Sequence, residues 1–76
     1  MPASLDQLQT GQQARIDAVQ ANGALGQRLL EMGLLEGETV EVIGFAPMGD
    51  PMEIRLGDYR LSLRRSEAAR VSVTEC

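Results

Sequence analysis

The sequence predicts a mainly β domain, a small five-stranded SH3-like barrel with one short α-helix inserted after the first strand. Three observations carry that prediction. Apolar and polar residues alternate in five short runs, the pattern of half-buried strands. Only one segment, around Leu25 to Met32, switches to a helical period. Five short strands in 76 residues also make a poor open sheet, whereas curling the sheet protects its edges and shares one core. An open α+β sheet is the alternative.

Ser4 opens the chain as an N-cap for one short turn, with Leu5 and Leu8 on one side and Gly11 closing it. Residues 1–10 read as this N-terminal turn, and about 11–74 as the core of a single domain spanning 1–76. Ala14, Ile16 and Ala18 alternate with Arg15 and Asp17, a half-buried strand. Leu25, Leu29 and Met32 then recur at i, i+4 and i+7, a helical stripe that Asn22 is placed to cap. Gly33 suits the left-handed residue just past a helix end, with Leu34 folding back onto Leu29. Gly26 inside this helix costs about 1 kcal/mol relative to alanine.

A turn at Glu36-Gly37 leads to a strand with Val40 and Val42 inward, and Gly44 marks a bulge. Met52, Ile54 and Leu56 alternate with Glu53 and Arg55; after Gly57-Asp58, Tyr59, Leu61 and Leu63 alternate with Arg60 and Ser62. Gly-Asp with glycine first predicts a type II′ hairpin. That register pairs Leu56 with Tyr59, Ile54 with Leu61 and Met52 with Leu63, all on one face. Ser66 is placed to cap one helical turn, and Val71 and Val73 close the core.

Composition narrows the function. Net charge is −4, and all seven cations are arginines, so the basic face of a nucleic-acid binder is not expected. There is no run of ~20 apolar residues and no apolar leader, so the expectation is a cytoplasmic protein without membrane insertion. The chain has no histidine or lysine, and its one cysteine, Cys76, has no activating neighbour in sequence. The residues for an enzyme are therefore missing, and a binding module is the leading class.

The connector Ala46-Pro-Met-Gly-Asp-Pro51 is the most distinctive stretch. Pro47 and Pro51 fix two φ angles, Gly49 accommodates positive φ, and Asp50 can accept bonds from nearby backbone N–H groups. The stretch reads first as a rigid connector and second as a contact surface presenting Met48 and Asp50. Arg64 and Arg65 form a solvated corner beside Glu67 that is suited to docking on carboxylates, and Arg28 lies on the polar face of the helix. Asp50 and Glu53 are the candidate metal carboxylates, but they need a third ligand from elsewhere. No dedicated metal site and no cofactor are expected.

Two segments, "QRLLEMGLLEGETVEV" and "APMGDPMEIRLGDYRLSLRRSEA", resemble the FeoA family of the bacterial ferrous-iron uptake system. Arg28, Leu29, Met32 and Gly33 fit that family's helix end. Ala46, Pro47, Gly49, Asp50 and Pro51 fit its loop, with Met48 in place of leucine. Leu61, Ser62, Leu63, Arg64, Glu67 and Ala68 fit its hairpin end, while Glu36-Gly37 replaces a commoner Pro-Gly. The resemblance runs from about Gly11 to Val73 and implies an SH3-like barrel. It implies an accessory role with the cytosolic part of the membrane transporter FeoB. The same module fused to iron-dependent repressors implies the alternative, a metal-responsive regulatory domain acting through a partner. The oligomeric state is left open.

Overall fold

Pattern and turn chemistry agree most closely in the central hairpin. Strand β4 (Met52–Leu56) and strand β5 (Tyr59–Leu63) pair in the expected register, Leu56 with Tyr59, Ile54 with Leu61 and Met52 with Leu63. Gly57 has φ +55° and, among the described residues, no non-glycine residue has positive φ. A type I′ turn would need positive φ at Asp58 as well, so the hairpin is type II′. The computed structural model describes residues 3–76; positions 1 and 2 of the expected N-terminal turn lie outside the described residues.

Around this hairpin the sheet holds, among the described residues, six strands rather than five, in the order β1 (Ala3–Ser4), β6 (Val71–Glu75), β2 (Gln13–Val19), β3 (Thr39–Phe45), β4, β5, antiparallel throughout. The added strand is β1, which pairs with β6. Two residues are too few to show a strand period, which is why alternation does not reveal it. The register shifts between Val42 and Gly44, where a bulge was expected, and also between Ile16 and Ala18.

The sheet curls but its ladder stays open, because β1 and β5 lie at opposite ends of the strand order and do not pair. The mainly β class holds while closure of the barrel does not. A 3-10 turn (Leu5–Gln7) and the four-residue helix α2 (Arg65–Ala68) meet each other. The inward residues of five strands form one hydrophobic core with Leu29 and Leu34, and Leu5 and Leu8 join it.

Helix α1 (Gly23–Glu31) ends as its glycine predicts. Gly33 has φ +96°, the Leu34 N–H donates to Leu29 O at 3.2 Å, and the Gly33 N–H donates to Leu30 O at 3.0 Å. These are the two bonds of a Schellman motif. Asn22 stands at the N-cap but its side chain makes no capping bond. Ser66 lies inside α2 rather than at its cap. The cap position is Arg64, whose N–H is taken by the Glu67 carboxylate at 3.1 Å.

Candidate functional site

Strand β3 ends at Phe45 and β4 begins at Met52, so the six residues between them must reverse the chain. Two backbone bonds close the reversal. The Gly49 N–H donates to Ala46 O at 2.7 Å, a turn with proline in its second position, and the Ala46 N–H donates to Pro51 O at 2.9 Å. The Asp50–Pro51 peptide is cis.

Side chains then tie the loop to the body. One Asp50 carboxylate oxygen accepts the Arg65 backbone N–H at 2.9 Å, satisfying a donor that the first turn of α2 leaves free. The Arg65 guanidinium lies 5.4 Å from the Phe45 ring centroid and reaches Asp6 O at 3.4 Å. An open groove of about 560 Å³ runs beside it, lined by Asp6, Leu8, Phe45 and Arg65 among others. Met48 stands at the apex with 93% of its surface exposed, against about half for Leu30, Leu35 and Tyr59. A large apolar side chain held fully in water on a braced turn gains nothing for the fold by being there.

Arg28 and Arg64 belong to a second cluster. Glu67 is buried, and its carboxylate takes both the Arg28 guanidinium and the Arg64 N–H. The first turn of α2 is thus a shared anchor, receiving Asp50 from the loop at Arg65 and Glu67 from its own chain at Arg64. Glu67 is the residue that sequence reasoning missed as an organiser. The available signal was its spacing, three residues after Arg64, the position from which a glutamate reaches back to the N-cap N–H.

The two carboxylates considered for metal have separate duties and places. Asp50 braces α2, while Glu53 lies in β4 opposite Ser62. Among the described residues no three His, Cys, Asp or Glu side chains gather as a metal site. No helix among them is long and apolar enough to cross a membrane.

Residues 3–75 match the family described as FeoA domain. The chain belongs to the FeoA family. An Fe(2+) transport protein A/Fe(2+) transporter FeoB fusion protein of Porphyromonas gingivalis is 45% identical over 69 residues, which make up 91% of this chain and 8% of that relative. Among solved structures, the FeoA-like protein of Clostridium acetobutylicum superposes with a TM-score of 0.91 at 30% identity, covering 97% of this chain and 86% of that one. FeoA of Stenotrophomonas maltophilia, solved with zinc and described as a prokaryotic SH3 domain protein, gives a TM-score of 0.82 at 37% identity, covering 93% and 88%. The FeoA family is associated with ferrous iron transport, and the open, curled sheet seen here is its SH3-like fold.

Proposed function

We propose that this FeoA chain is a small cytosolic accessory protein of ferrous-iron uptake, which docks on the cytosolic part of a FeoB-type transporter through the Ala46–Pro51 loop. The observation that carries the reading is Met48, 93% exposed at the tip of a loop braced by two backbone bonds and by Asp50. A braced loop loses little freedom on docking, and one apolar anchor inserted into a pocket commonly dominates an interface. The fusion in the Porphyromonas relative supports the choice of partner. Linking two modules raises their effective concentration to about the millimolar range, which suits a contact that is weak between separate chains. No bond-making step is required of the chain, whose role is to touch and position.

An NMR titration of labelled protein with a FeoB cytosolic domain tests this. Shifts centred on Pro47–Pro51 are expected, and Met48→Ser should weaken binding at least tenfold while leaving stability unchanged. Shifts elsewhere, or none at millimolar concentration, would overturn the loop assignment. The zinc complex of the Stenotrophomonas relative favours a second reading, in which metal binding regulates a partner. Anaerobic calorimetry with Fe2+ separates the two, since stoichiometric micromolar binding by the chain alone is expected only of the second.

A further inference from the structure

Among the described residues strand β5 is the last strand of the sheet and has a ladder partner on one side only, β4. In a two-residue hairpin the residues flanking the turn bond each other, here Leu56 and Tyr59, and hydrogen-bonded and open positions then alternate. Tyr59, Leu61 and Leu63 therefore spend their main-chain groups on β4, while those of Arg60 and Ser62 point away from the sheet. No backbone group of residues 59–63 bonds any turn, loop or cap of the described chain. Tyr59, Arg60 and Ser62 are exposed and Leu61 is partly so. The strand is neither bulged nor interrupted by proline, two common ways of blunting an edge.

The charge along this edge runs against that of the whole chain. Net charge is −4, yet Arg60 lies on the edge strand and Arg64 follows it two periods on, both exposed. Arg15, Arg28 and Arg55 form ion pairs, with Asp17, Glu67 and Glu41, whereas among the described residues Arg60 and Arg64, like Arg65 and Arg70 outside this edge, form no ion pair with a carboxylate. Across the ladder Arg60 faces Arg55, already engaged by Glu41. The opposing charges nearby are Asp58 in the hairpin turn, half-buried Glu53 one strand further in, and, at the Arg64 end, Glu67 and Asp50, whose carboxylates are already engaged by Arg28 with the Arg64 N–H and by the Arg65 N–H. A second copy pairing through β5 would bring the two arginines of each chain together, and like charges across a ladder are unfavourable.

We infer that the β5 edge is a strand-addition site for an extended acidic segment of a partner protein. Main-chain bonds to Arg60 and Ser62 supply the pairing, and carboxylates beside Arg60 and Arg64 set the choice of sequence. This surface involves none of the residues of the Ala46–Pro51 loop, and the inference stands whether or not that loop docks on FeoB.

The test uses the intact chain and a synthetic capped peptide of alternating valine and glutamate. In an NMR titration the amides of Arg60 and Ser62 should shift and become protected from solvent exchange, while Pro47–Pro51 stay unmoved. Ser62→Pro removes an outward N–H without touching the β4 ladder, and should weaken binding at least tenfold with the fold intact. Arg60→Glu with Arg64→Glu should abolish it. Equal binding of a valine–lysine peptide, or of the acidic peptide with N-methyl groups on its pairing face, would overturn the inference. So would prior protection of the Arg60 amide in a self-associated state.

Discussion

The contact between Arg28 and Glu67 is lopsided, and that predicts which half of it is worth more. Arg28 keeps 56% of its side chain in water, while Glu67 keeps 7%. Arg28→Met leaves a nearly buried carboxylate with only the Arg64 N–H for company. Breaking a buried pair by removing one partner costs about 3–5 kcal/mol, which partial exposure of the arginine and the surviving bond reduce to about 2–3 kcal/mol here. Glu67→Gln keeps an oxygen for the Arg64 N–H and frees a guanidinium that turns into solvent, for about 1 kcal/mol or less. A domain of this size has roughly 4–11 kcal/mol in total, so the first change is large. Urea unfolding followed by circular dichroism reads the difference. At a slope of about 1 kcal/mol per molar, Arg28→Met should lower the midpoint by about 2–3 M and Glu67→Gln by about 1 M. The double variant strands no charge and should be more stable than Arg28→Met alone. Equal losses in the two single variants, or a double variant worse than Arg28→Met, would refute the reasoning.

Gly33→Ala should cost more than Gly37→Ala. Both sites have positive φ, worth about 1–3 kcal/mol to a side chain, but only at Gly33 would the new methyl overlap the Tyr59 hydroxyl. Adding Tyr59→Phe should recover part of the Gly33→Ala loss by thermal melting, although Tyr59→Phe alone costs about 1 kcal/mol through its bond to Met32 O at 2.5 Å. Gly26→Ala should destabilise by about 1–3 kcal/mol rather than stabilise as helix propensity suggests, because a Cβ there would run into the Ala21 carbonyl; chemical denaturation gives the sign directly. Asp50→Ala should cost about 1 kcal/mol, speed hydrogen exchange at the Arg65 amide and raise the nanosecond mobility of residues 47–50 in NMR relaxation.

What alternation and turn chemistry could reach, they reached. The β4–β5 register, the Gly57 turn, the Gly44 bulge and the Gly33 helix end were all legible, because each is decided by residues within a few positions of one another. The family was legible for the same reason, since its loop and hairpin are contiguous in the chain.

What stayed hidden depended on residues brought together from afar. Ala3 meets Val73, Arg28 meets Glu67, and Asp50 meets Arg65, and no local period announces any of these. Gly26 is a poor helix residue by propensity, and only the tertiary contact with the Ala21 carbonyl requires it. Met48 shows the division plainly. Its sequence neighbours foretold a stiff turn, but that the side chain stands clear of everything else is a fact about the surrounding surface. The amino-acid order by itself determined five of the six strands, the turns between them and the lack of histidine and lysine, since those follow from local sterics and composition. Only the folded chain decided which edge stays unpaired and which arginines find carboxylates, because both depend on where distant segments come to rest.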